Sequence, residues 1–184
     1  MNNTDMAGLL LRLVLGGTMI AHGWNHAFGG GRLPGTARWF ESIGIRPGRL
    51  HALLATVTEL GAGLLLVAGL LNAPAAGAVI GTMTVALVAN HLRNGFFIFR
   101  PGEGCEYVLM IIVVSSALAA LGPGRLSVDH LIGFGLDGWT GCATAVAIGG
   151  VGAAGLLAAC WRRPESPNRE NPDGKTAAPQ LQPE

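Results

Sequence analysis

Asn90-His91-Leu92-Arg93-Asn94-Gly95-Phe96-Phe97-Ile98-Phe99-Arg100-Pro101-Gly102-Glu103-Gly104-Cys105-Glu106-Tyr107 is the stretch that decides the fold. It places two Arg, one His, two Asn and two Glu between two strongly apolar runs, Ala73 to Ala89 and Val108 to Leu121. A polar turn between apolar runs of that length reads as the connection between two membrane helices. Ionisable groups at a hydrophobic boundary are costly and usually have partners, so His91 and Glu106 are expected to face each other. His91 and Asn94 stand three residues apart, on one helix face if the helix continues. An ordinary solvated loop is the competing reading.

Working outward, the rest of the chain agrees with a membrane protein. Of 184 residues, 50% are hydrophobic and 12% charged, about half the charged share of soluble domains, and the mean hydropathy is +0.46. A net charge of +1 leaves no nucleic-acid footprint. The 29 glycines suit helices that pack backbone to backbone in lipid, where no hydrophobic force drives helices together. Cys105, Cys142 and Cys160 form no C-x-x-C pair and no metal-type spacing.

Upstream, Ala7 to Phe28 is long enough for a first span. A signal peptide would want a basic start, but the one basic residue here, Arg12, lies inside the apolar run. Gly29-Gly30-Gly31 stops this helix. Gly35 to Ile43 is expected to form a short interfacial helix, capped by Thr36, with Trp39 and Phe40 in the headgroup zone. Pro47 opens the next helix. His51 to Leu71 is the second span and carries one acid, Glu59. Asn72-Ala73-Pro74 is read as a minimal turn, so spans two and three form an antiparallel hairpin. Span three runs from Pro74 to His91 and contains Gly77-x-x-x-Gly81, a spacing that permits close helix contact; internal packing is favoured over dimerisation.

Downstream, Glu106 to Leu121 makes span four, ended by Gly122-Pro123-Gly124. Arg125 to Trp139 is a loop, and Gly141 to Ala159 makes span five. The expected architecture is an all-α membrane protein. It comprises a four-helix core over residues 1–135, an additional C-terminal transmembrane helix over 136–161, and a Pro-rich polar tail over 162–184 expected to be disordered.

Charge orients the bundle. With five spans and the C-terminus in the cytoplasm, ten basic residues fall inside and only Arg125 falls outside, Arg12 lying within a helix. This predicts a multi-pass protein of the bacterial plasma membrane with its N-terminus outside. His22 and His26, stacked at i and i+4, then share the cytoplasmic half with Glu59, His91, Asn94 and Glu106. Three readings of this layer stand side by side. It is a buried network that fixes packing, a site for a small molecule or quinone headgroup with proton relay, or a metal site. The Glu-x-x-His motifs of di-iron bundles are missing, so no metal ligand is assigned. On the outer side Arg12 needs a counter-ion, and Asp129 is the nearest outer acid in the topology, with Asp5 and Asp137 as rivals, giving an expected structural ion pair.

The same residues carry a family resemblance. Arg12, His22-Gly23-Trp24-Asn25-His26, Trp39 through Pro47, Glu59-Leu60-Gly61-Ala62-Gly63, His91 through Phe97, Glu106-Tyr107 and Gly122 through Asp129 resemble the DoxX family of small membrane proteins, over about residues 7 to 135. One departure is His26, where the family commonly carries lysine. The resemblance implies a four-helix bundle and an association with redox systems, since the family includes a subunit of a thiosulfate–quinone oxidoreductase and membrane partners of sulfur and oxidative-stress enzymes. It therefore implies a redox-associated subunit with quinone as the candidate cofactor, redox proteins on the cytoplasmic side and lipid as partners. A non-catalytic scaffold or a small-molecule or lipid carrier is the alternative. Homo-oligomerisation and catalysis are left open.

Overall fold

A computed structural model gives the fold, and it describes residues 3–164. The protein is all-helical: α1 (Asn3–Phe28), α2 (Arg32–Ser42), α3 (Gly48–Ala68), α4 (Asn72–Ala89), α5 (Glu106–Leu121), a single-turn α6 (Val128–Leu131) and α7 (Gly138–Cys160). Helices α1, α3, α4 and α7 are long and apolar enough to cross a membrane. Helix α5 is apolar but has 16 residues, about 24 Å of rise against a hydrocarbon core of about 30 Å. The chain is a multi-pass membrane protein.

The helices form a ring. Helix α1 lies along α3, α3 against α4, α4 along α5, and α5 returns to α1, while α7 packs outside α4 and α5. Each contact follows from spacing in the sequence. The buried positions of α1 are Asp5, Gly8, Arg12, Leu15, Gly16, Met19 and Gly23, separated by three or four residues apart from the adjacent Leu15 and Gly16, as one face of a 3.6-residue helix requires. Glycines on that face bring the backbones together. A Cβ on Gly16 would stand 2.7 Å from the Gly63 carbonyl oxygen, and a Cβ on Gly63 2.7 Å from that of Gly16. A second seam joins α4 to α7, where a Cβ on Gly149 would stand 2.7 Å from the Gly77 carbonyl oxygen and one on Gly81 3.2 Å from that of Gly149. The Gly77-x-x-x-Gly81 spacing is thus spent on an internal helix.

This second seam gives an expected result. Gly149→Leu should push α7 off α4 and raise the rate at which a maleimide labels Cys160, which lies half-buried at the end of α7. Gly150→Leu, where a Cβ meets nothing within 4 Å, should label like the wild type. Equal labelling of the two variants would refute the seam.

Several boundaries differ from those the sequence suggests. Helix α2 begins at Arg32, and Thr36 sits inside it. Its hydroxyl donates to the carbonyls of His26 (3.1 Å) and Arg32 (3.2 Å), so it ties α2 to the end of α1 and is not a cap. Trp39 is exposed, but Phe40 turns inward and is buried. Helix α3 starts at Gly48 and ends early because Gly69 takes the left-handed conformation (φ 66°). Asn72-Ala73-Pro74 belongs to the first turn of α4, leaving Gly69-Leu70-Leu71 as the connection. Helix α4 stops at Ala89, and His91–Arg93 is a 3-10 turn. The segment before α7, expected to be loop throughout, contains α6, whose cap is Ser127 accepting from His130 N–H at 3.1 Å.

The end of α7 is held by the α2–α3 connection. Arg46 N–H donates to the Cys160 carbonyl (3.0 Å), Arg162 N–H to Gly44 (2.8 Å) and the Trp161 indole to Ile43 (3.0 Å). Arg162, expected to begin the free tail, is part of this join; the remainder of the expected tail, from 165 on, lies outside the described residues.

At the opposite end of the bundle lie Arg12 and Asp129, each 1% exposed. The direct ion pair expected between them is replaced by two separate anchors. The Arg12 guanidinium donates to the Leu126 carbonyl. The Asp129 carboxylate accepts from Leu71 N–H (2.8 Å) and Asn72 N–H (2.9 Å), so it caps α4 from another segment. Asp129 acts on Arg12 as a counter-charge through space.

Candidate functional site

Helices α1, α3, α4, α5 and α7 enclose a cavity of about 690 Å³, with α2 and the α4–α5 loop across one end. Its position follows from small residues. Gly77, Ala78 and Gly81 of α4 and Gly149, Gly152 and Ala153 of α7 line it, and none of them projects far enough to fill the space between the helices. The cavity-facing stripe of α3 is His51, Leu54, Ala55, Thr58 and Glu59, spaced at three and four residues on one helix face.

The polar groups gather on this wall. His22, His26, Glu59 and His91 all line the cavity, from α1, α3 and the turn after α4. His26 Nδ1 stands 3.2 Å from Glu59 Oε2. Glu59 is 3% exposed. Neither of those two atoms makes an aligned hydrogen bond, so the contact is close but both keep hydrogen-bonding capacity for something else. The His22 ring stacks on Tyr107 with centroids 6.1 Å apart, and His26 meets Phe40 edge-on at 6.4 Å. His91 Nδ1 lies 2.9 Å from the Glu103 carbonyl oxygen.

Two of the six residues singled out in the sequence stand elsewhere. Glu106 does not face His91; its Oε2 accepts from Ile98 N–H at 3.2 Å. Asn94 donates its side-chain amide to the carbonyls of Asn90, Gly102 and Glu103. Both brace the α4–α5 loop. The reason is the early end of α4: once the chain leaves the helix at Ala89, three-residue spacing no longer puts His91 and Asn94 on one face.

The structure adds residues that spacing did not bring forward. His51, Asn90, Glu103 and Tyr107 line the same cavity. His51 is 5% exposed, and neither ring nitrogen has a hydrogen-bond partner. Read as the first residue of a span, it looks like an end group. Because α3 starts three residues earlier, it lies inside the helix, and its i+8 relation to Glu59 through positions 54, 55 and 58 was the signal available.

Among the described residues no group of three or more His, Cys, Asp or Glu is arranged to hold a metal ion. The three cysteines are free thiols.

Comparison with known proteins adds one finding. The DoxX family model matches residues 7–92, which contain most of α1, all of α2, α3 and α4, and His91. The resemblance noted from residue 93 to about 135 lies outside the matched segment. No curated protein and no solved structure gives a significant match. The matched segment holds His22, His26, His51, Glu59, Asn90 and His91, the polar side of the cavity. With its apolar multi-pass helices and this match, the chain is a membrane protein whose residues 7–92 are similar to the DoxX family.

Proposed function

We propose that this protein is a membrane subunit of a redox system and that it binds a quinone headgroup in the central cavity. The observation that carries this reading is the cavity itself: about 690 Å³, with mostly apolar walls and a few converging histidines and one buried carboxylate. Small-molecule sites commonly have this size and make-up, apolar walls with a small number of placed polar groups. A quinone fits the donor set. Its ring needs apolar walls and its carbonyls need hydrogen-bond donors, and the unsatisfied nitrogens of His26 and His51 meet that need. When bound, a quinone would supply the electron-accepting chemistry. The chain's own residues would bind and orient it and hold protons at the imidazole nitrogens and the Glu59 carboxyl.

The charge asymmetry supports an orientation in the bacterial plasma membrane with the N-terminus outside and the polar layer toward the cytoplasm. Redox proteins that exchange electrons with the cavity would then dock on the cytoplasmic face, where Arg32, Arg38, Arg46, Arg49, Arg93 and Arg100 lie. A titration with decylubiquinone tests the site, because Trp39 lines the cavity and its fluorescence should be quenched on binding. Glu59→Gln should reduce binding at least tenfold while leaving the melting temperature near that of the wild type. If melting temperature and binding fall together, the polar layer is a packing network and the protein is a scaffold or carrier.

A further inference from the structure

We propose that His51 is the second anchor of the ligand, so that the cavity selects a ring with hydrogen-bonding oxygens at two opposite ends. This rests on the quinone reading above and goes beyond it by naming the geometry of the substrate class. His51 and Glu59 lie on the same cavity-facing stripe of α3, eight residues apart, an axial separation of about 12 Å. Side chains of a helix lean toward its N-terminus, so both groups are displaced in the same sense and the separation is kept. Glu59 is joined by His26 at 3.2 Å, making one polar station. His51 makes the other, and between them α3 presents Leu54, Ala55 and Thr58.

The span fits one kind of molecule. A six-membered ring with para carbonyls and a hydrogen bond at each oxygen reaches roughly 11 Å. An ortho pair of carbonyls, or a single carbonyl, satisfies one station only. Buried polar groups in native structures are nearly all hydrogen-bonded, yet both nitrogens of His51 are unpartnered beside the cavity, and the 3.2 Å contact of His26 Nδ1 with Glu59 Oε2 is not an aligned hydrogen bond. Unsatisfied groups at both ends of one apolar compartment are what a ligand with two polar ends would complete.

The test compares two probes, decylubiquinone and decylbenzene, the second having the same tail and no ring oxygens. His51→Phe keeps an aromatic ring of similar breadth and should weaken decylubiquinone binding roughly tenfold while leaving decylbenzene binding unchanged. His51→Gln, which keeps a hydrogen-bonding side chain, should retain most of the affinity and covers the case in which His51→Phe does not fold. Unchanged decylubiquinone affinity in both variants overturns the role of His51 and leaves the cavity as the quinone site. Equal weakening of both probes also overturns it, since His51 would then act through packing. Failure of the wild type to bind decylubiquinone at all overturns both this inference and the quinone reading. Gly152→Phe, at a cavity-lining position where a Cβ meets nothing within 4 Å, should weaken both probes; if it weakens neither, the probes bind elsewhere and the quinone reading fails on its own.

Discussion

Asp129→Ala is expected to lower stability by about 3–5 kcal/mol, the cost of leaving a buried charge without its partner. Two losses combine. The Leu71 and Asn72 amides at the start of α4 lose both their acceptors. Arg12 loses the nearest counter-charge, and its Nε and Nη1 already make no hydrogen bond. The guanidinium packs against Gly69, where a Cβ would fall against it, and the residue is 1% exposed. Thermal unfolding in detergent measures the effect. Arg12→Met combined with Asp129→Ala should unfold at a higher temperature than Asp129→Ala alone, because the unmatched charge is gone. If Asp129→Ala melts with the wild type, Asp129 has no clasping role.

Gly63→Leu is expected to be the second large effect. The new side chain must displace the Gly16 carbonyl, 2.7 Å from the Cβ position, and Ile20, 2.8 Å from it. Backbone cannot step aside as a flexible side chain does, so the cost should sit at or above the top of the usual range of about 1–3 kcal/mol for overpacking. The same seam carries His26 and Glu59, one on each helix. Spreading it should therefore also separate the 3.2 Å contact and abolish decylubiquinone quenching. Gly61→Leu is the matched comparison, since a Cβ there meets nothing within 4 Å. Equal melting temperatures for the two variants would show that α1 and α3 are not held by glycine contact.

The helices were legible because lipid leaves few alternatives: a long apolar run must satisfy its own backbone, and a helix does so. Glycine punctuation placed the connections, and the three- and four-residue spacing of Gly16, Met19 and Gly23 was visible in the run itself. Helix ends were less legible. The start of α3 at Gly48 is held by Glu41 of α2 accepting from its N–H, the start of α4 by Asp129 reaching from another segment, and the turn after Ala89 by carbonyls of the 102–103 turn. None of these is local in sequence. Those shifts of a few residues decided the site. They carried His51 inside and turned Asn94 away, while His22, His26 and Glu59 line the cavity from α1 and α3. For Arg12 and Asp129 the sequence could not show that each would satisfy a backbone group.

The wall that α7 gives the cavity has a consequence for the width of the compartment. The side chains able to exchange protons or donate hydrogen bonds lie mostly in the segment that matches the family, whereas the outermost wall comes from a helix beyond it. Recognition chemistry and the width of the compartment are therefore written in separate parts of the polypeptide. A change in α7 can therefore alter the girth of the compartment and leave its polar wall untouched.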